Sequence, residues 1–72
     1  MIMAESVYKI IEVVGTSKVS WEDAAKNAVQ TVSMNLKELR IAEIVKLDMT
    51  IANNKVSTYR ARVSLSFKYL PD

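Results

Sequence analysis

The stretch that decides the fold is residues 41–69, IAEIVKLDMTIANNKVSTYRARVSLSFKY. Its second half alternates with a period of two: Ser57, Tyr59, Ala61, Val63, Leu65, Phe67 and Tyr69 against Thr58, Arg60, Arg62, Ser64, Ser66 and Lys68. Such alternation predicts a strand with one buried face. The first half reads the same way, with Ile41, Val45, Leu47, Met49 and Ile51 on one face and Glu43 as the polar exception among them. Asn53-Asn54 between the halves tolerates the positive φ angles of a tight turn, so the stretch reads as a long hairpin.

Upstream of the hairpin the period changes. Trp21, Ala24, Ala25, Ala28, Val29, Val32, Leu36 and Leu39 recur at steps of three and four, which predicts a helix from Trp21 to about Leu39. Ser20 is placed to cap it, with Asp23 three residues on, and Glu22 and Asp23 complement the positive end of the helix dipole. Before that, Ser6–Val14 is rich in β-branched residues and reads as a strand that Gly15-Thr16-Ser17 ends. Pro71 punctuates the end of the last strand. The expected fold is α+β, in the order β-α-β-β. Its three-stranded antiparallel sheet has strand order 1-3-2 and is packed on one helix, because the helical crossover leaves room for the third strand between the other two. One Ala-striped helix cannot cover such a sheet, which predicts burial against further copies of the chain.

Composition narrows the function. Seventy-two residues, half of them hydrophobic, make a single domain over 1–72 whose core alone is marginal. There is no cysteine and no histidine. Disulfides, thiolate metal sites and the commonest general base are therefore absent, and Ser17, Ser20 and Ser66 lack an activating partner. No enzyme is expected. Ten basic and eight acidic residues are scattered, which argues against a nucleic-acid footprint. No run approaches the roughly eighteen apolar residues of a membrane span. The start, MIMAESVYK, lacks a basic leader and apolar h-region, so a cytoplasmic location is expected.

Several segments together resemble the dodecins, small β-α-β-β proteins that assemble into hollow dodecamers and mostly bind flavins. They are Val7-Tyr8-Lys9 through Val14-Gly15-Thr16-Ser17, the helix opening Ser20-Trp21-Glu22-Asp23-Ala24-Ala25, Ala42-Glu43-Ile44, Thr58-Tyr59-Arg60 and Ser66-Phe67-Lys68. The resemblance implies a homododecamer that holds a small ligand, by family expectation riboflavin or FMN. In flavin-binding dodecins a Trp near the start of the second strand stacks on the flavin and a Gln on the third strand bonds its pyrimidine edge. By position these fall on Ile41 and Arg60. Ile41 cannot stack, which forfeits about 0.5–1.5 kcal/mol per aromatic pair, and Arg60 donates but cannot accept. The chain is thus similar to the branch without the Trp, which includes calcium dodecins.

The candidate ligand-binding residues are Ile41, Glu43 and Arg60, and the candidate metal residue is Asp48, an oxygen ligand suited to Ca²⁺ or Mg²⁺ where several copies converge. Two readings stand for Glu43: a carboxylate facing an arginine at a subunit contact, or a wall of a ligand pocket beside Ile41. Arg60 and Arg62 read as ion-pair partners of Glu43, Asp48 or Glu12, or as an anion site. Trp21, Tyr8, Tyr59, Phe67 and Tyr69 read as packing residues.

Overall fold

The computed structural model describes residues 7–69. The expected strand start at Ser6 and the stop at Pro71 lie outside them. The elements run β1 (Tyr8–Ser17), α1 (Trp21–Ser33), β2 (Leu39–Ala52) and β3 (Lys55–Lys68). The three strands form one antiparallel sheet in the order β1-β3-β2, as the alternation and the crossover require.

The core sits between α1 and the middle of β3. Ala24 and Ala28 on the helix meet Ala61, Val63 and Leu65, with Ile11, Val13, Val29, Val32 and Leu39 packed around them. These inward residues repeat every second position on the strands and every third or fourth on the helix, which is the periodicity seen in the sequence. Small helix side chains let the helix lie close to the sheet. Gly15 marks the tightest point: a Cβ there would stand 2.0 Å from the Ala24 carbonyl oxygen and 2.9 Å from the Ala28 Cβ. Its φ is not positive, so the glycine is required by close approach and not by a turn.

Gly15-Thr16-Ser17 does not end β1, contrary to expectation. These residues stay in the ladder opposite Ala61, Arg60 and Tyr59. The helix start is then tied to them. Ser20 Oγ accepts from the Asp23 N–H at 3.0 Å, the predicted N-cap. Asp23 does not reach back to Ser20; its carboxylate accepts from Ser17 Oγ at 2.7 Å, and Ser17 Oγ accepts from the Val19 N–H at 2.9 Å. Asn27 Nδ2 donates to the Thr16 carbonyl at 3.0 Å, adding a second tie between helix and strand.

The helix is shorter than its apolar stripe suggested. It ends at Ser33, and the chain turns through Glu38, whose φ of 67° is incompatible with a continuing helix. Leu39, expected at the helix end, instead opens β2 opposite Phe67. Glu38 is held there by its ion pair to Arg40 at 2.6 Å and by its carbonyl, which accepts from the Lys68 N–H at 3.0 Å. At the far end, Asn53 (φ 53°) and Asn54 (φ 62°) make the expected two-residue turn, with Ala52 opposite Lys55.

The face assignment of β2 is the main correction. Register shifts fall between Leu39 and Ile41, between Ile44 and Lys46, and between Thr50 and Ile51. The irregularity at Val45 reverses the alternation, as an extra residue in one strand must. Ala42, Ile44, Leu47 and Met49 lie opposite Leu65, Val63, Ala61 and Tyr59, on the helix side of the sheet. Ile41 and Glu43 pair with Ser66 and Ser64, on the face away from the helix. Glu43 is therefore no polar exception in an apolar set; it belongs to a polar face.

Thirteen helical residues span about 20 Å, while fourteen extended residues span about 46 Å. The helix lies over β1 and β3 and leaves β2 uncovered. Ile44, Leu47, Met49 and Ile51 on β2, and Val56 opposite Ile51 at the start of β3, are 41–61 % exposed. β2 pairs with β3 along one edge only, so its other edge carries unpaired backbone groups. Among the described residues, no helix is long and apolar enough to cross a membrane.

Candidate functional site

The sheet face away from the helix carries all four residues singled out in the sequence. Reading across β1, β3 and β2, its rows are Ile10–Ser66–Ile41, Glu12–Ser64–Glu43, Val14–Arg62–Lys46 and Thr16–Arg60–Asp48. Side chains in one row are direct cross-strand neighbours, and successive rows are about 6.6 Å apart.

Asp48 and Arg60 are joined in the last row. Arg60 Nε donates to Asp48 Oδ1 at 2.7 Å and Nη2 donates to Oδ2 at 3.0 Å, a two-pronged bond that uses both carboxylate oxygens. The side chains remain 40 % and 51 % exposed, so water screens the pair. The Arg60 hydrogen bonds hold the Asp48 carboxyl below its ordinary range; the charges of Arg60, Arg62 and Lys46 add to this, and partial desolvation opposes it. Asp48 in turn raises the Arg60 guanidinium above its ordinary value. Of the partners offered to Arg60 by the sequence, Asp48 is the one it takes.

Ile41 and Glu43 occupy neighbouring rows on β2, with Ile41 exposed to solvent. Arg60 does not join them within one chain. It lies six residues along β3 from Ser66, the partner of Ile41, which is about 20 Å of extended strand. Any pocket containing Ile41, Glu43 and Arg60 together therefore draws on more than one copy of the chain.

Two features escaped the sequence reading. Trp21 does more than pack at the helix start: its Nε1–H donates to the Asp48 carbonyl at 2.9 Å, and its ring meets Tyr59 edge to face at a centroid distance of 5.2 Å. The helix start is thereby tied to the β2 edge across 27 residues of sequence. The only signal was chemical, since an indole N–H in a packed place needs an acceptor. Beside Trp21 lies an open groove of about 430 Å³, lined by Trp21, Glu22, Ala25, Ile44 and Leu47. The second missed feature is the Lys46–Arg62 pairing, which the displaced register at Val45 creates.

The fold and sequence agree with known proteins over nearly the whole chain. The dodecin family model matches residues 7–70. Calcium dodecin of Mycobacterium tuberculosis is 41 % identical over 66 residues, spanning 92 % of this chain and 93 % of the relative. Its crystal structure, described as calcium chelating with a novel calcium-binding site, superimposes with a TM-score of 0.81 over 93 % of this chain and 96 % of that one. The dodecin of Streptomyces coelicolor, 28 % identical, superimposes with a TM-score of 0.90 over 97 % of this chain and all of that one. A strand order with the last strand central, a short helix pressed onto Gly15 and a family match across all described elements lead to one conclusion: the chain belongs to the dodecin family.

Proposed function

We propose that the chain acts, without catalysis, as a cytoplasmic homododecameric shell of single-domain subunits that holds a small ligand at its subunit contacts. The uncovered β2 carries this reading. A fourteen-residue edge strand with Ile44, Leu47, Met49 and Ile51 half-exposed along it is an aggregation hazard in a monomer. In a closed symmetric assembly the same surface becomes core. The absence of cysteine removes the disulfide that would otherwise stabilise so small a domain.

The ligand surface in this reading is the free sheet face, with Ile41 and Glu43 from one copy brought near Arg60 of another. Riboflavin or FMN is the family's expected ligand, and the residues fit it poorly. Ile41 offers an aliphatic wall and no ring, and two of the donor groups of Arg60 are already committed to Asp48. Trp21 is no substitute stacker, because it belongs to the helix side and is engaged with Tyr59.

A second reading, a shell that holds Ca²⁺ or Mg²⁺, is favoured by the similarity to calcium dodecin. Asp48 fits that role only if a cation displaces Arg60 from its carboxylate and several chains contribute. Among the described residues, no three acidic side chains stand together in one chain. Hard cations prefer six or more oxygen ligands.

Light scattering tests the assembly: a species of about 97 kDa, twelve times the 8.1 kDa of one chain, supports it, and a stable monomer refutes it. On the assembled protein, quenching of riboflavin or FMN fluorescence at micromolar concentration supports the flavin ligand. Loss of the assembly in chelator supports the cation reading instead.

A further inference from the structure

We propose that the free sheet face is a contact between two copies of this chain, packed face to face about a two-fold axis. The axis runs across the strands, between the Glu12–Ser64–Glu43 row and the Val14–Arg62–Lys46 row. This contact deepens the assembly read above and rests on it. The observation that carries it is the sorting of charge by row. One row holds two carboxylates, Glu12 and Glu43, and the next holds two cations, Arg62 and Lys46. The irregularity at Val45 produces this order. Strict alternation would put Lys46 and Glu43 on opposite faces, and the shifted register puts both on one.

Within one chain the opposite charges stay apart. All four side chains are exposed. None of them takes part in the ion pairs of the described residues, which are Arg40–Glu38 and Arg60–Asp48. Lys46 directly opposite Arg62 is moreover a like-charge pair, which destabilises a sheet. The four charges cancel in sum, so the patch selects no ion of one sign. What it matches is a surface carrying the same rows in reverse order. A second copy of the chain presents that order.

The axis fixes the neighbours. Rotation about a line across the strands reverses the rows and keeps each strand over its own counterpart, giving an isologous contact. Glu43 then faces Lys46 of the second copy, and Lys46 faces the Glu43 of that copy. Glu12 lies one strand, about 4.8 Å, to the side of Arg62 of the second copy, a gap that a guanidinium side chain spans. Packed sheets stand about 10 Å apart, which a Glu and a Lys side chain meeting tip to tip bridge. The outer rows follow, with Ile10–Ser66–Ile41 over Thr16–Arg60–Asp48. Ile41 of one copy thereby comes near Arg60 of the other, a meeting that one chain cannot make. An axis parallel to the strands would set carboxylates on carboxylates, and the same rows exclude it.

Light scattering on Glu43→Lys, on Lys46→Glu and on their mixture tests the contact, with circular dichroism to check that each variant folds. Each reversal alone sets like charges across the axis, and the species of about 97 kDa should give way to smaller ones. When the two variants are mixed, opposite charges meet at both positions, and the parent size should return. Pairing of Glu43 with Lys46 inside one chain predicts no gain on mixing. Where a reversal variant does not fold, Glu43→Gln and Lys46→Gln take its place. Each should raise about tenfold the concentration at which dilution dissociates the assembly, while Lys9→Gln, on the other face of β1, leaves it unchanged. Parent-size particles in both reversal variants, a mixture that does not regain that size, or unchanged dissociation in both Gln variants overturns the contact and leaves the shell reading standing. A monomeric parent overturns both. A parent dimer that the reversals split supports the contact and refutes the dodecamer.

Discussion

Replacing Gly15 by alanine separates two physical effects of opposite sign. Gly15 lies in an extended strand without positive φ, so the backbone accepts alanine. On chain entropy alone the substitution should stabilise by about 0.4–1 kcal/mol. Sterics act the other way. The added Cβ would stand 2.0 Å from the Ala24 carbonyl oxygen, whereas ordinary van der Waals contact begins near 3.4 Å. The helix must therefore retreat by about 1.4 Å, and it is anchored on that side by the Asn27 bond to the Thr16 carbonyl and the Ser17–Asp23 bond. Ala24 and Ala28, 0 % and 6 % exposed, lose their close seat on the sheet. Overpacking of a tight core costs about 1–3 kcal/mol, and a clash with backbone belongs at the upper end. For a domain of this size about 3 kcal/mol lowers the melting temperature by roughly 12–24 °C. Circular dichroism melts recorded at one fixed protein concentration measure it. Ala28→Gly added to Gly15→Ala removes only the 2.9 Å contact and should not restore stability. A Gly15→Ala protein that melts at or above the parent temperature refutes the claim that close helix approach is why this position is glycine.

Other substitutions probe other parts of the structure. Asp48 has its carboxyl lowered by Arg60, so the pair contributes stability above the ordinary carboxylate value of 3.8 and loses it as pH falls through the lower folded value. A carboxyl-carbon NMR titration should place the Asp48 midpoint below 3.8, and Arg60→Gln should move it upward; a midpoint at or above 3.8 in the parent contradicts the bond. Trp21→Phe removes the donor to the Asp48 carbonyl and should cost about 1 kcal/mol in thermal denaturation. Asn54→Gly should leave the hairpin unharmed, while Asn54→Ala, forced to the same positive φ of 62°, should cost about 1–2 kcal/mol. Ile41→Trp combined with Arg60→Gln should raise flavin affinity about tenfold to hundredfold; an assembled double variant with no gain in fluorescence titration shows that these positions do not face the ligand.

Much of the architecture was readable because it rests on periodicity. Ala24, Ala28, Val63 and Leu65 announce a helix stripe and a strand face, and Asn53-Asn54 announces the turn between strands. The misreadings arose where one residue departs from a period. The helix closes at Ser33 and the chain then turns through Glu38, so Leu39 belongs to β2 although its spacing continues the helical stripe. Val45 shifts the register, so Ile41 and Glu43 do not share a face with Leu47 and Met49, with which their spacing groups them. A displaced register has no composition of its own; it appears only when the partner strand is known. The Asp48–Arg60 bond was legible as one of several charge pairings, and the geometry selected among them. The separation of Arg60 from Ile41 was not legible, because distance along a face depends on the register. Gly15 looked like punctuation for the same reason: nothing local distinguishes a glycine that turns the chain from one that makes room for a helix.

The position of β3 between β1 and β2 also governs how the molecule forms. β1 and β2 never touch each other, so neither has a sheet partner until β3 arrives. During synthesis, α1 and the first two strands are complete while the strand that joins them is still missing. Every contact of the β1 ladder then forms late and at long sequence separation, from Tyr8 with Lys68 down to Ser17 with Tyr59, whereas the β2–β3 ladder closes locally from Ala52 with Lys55. Such topologies fold slowly for their size. Until β3 closes the sheet, the apolar residues of β2 lie on a strand with no fixed register. The nascent chain is therefore most prone to stray pairing just before β3 joins the sheet.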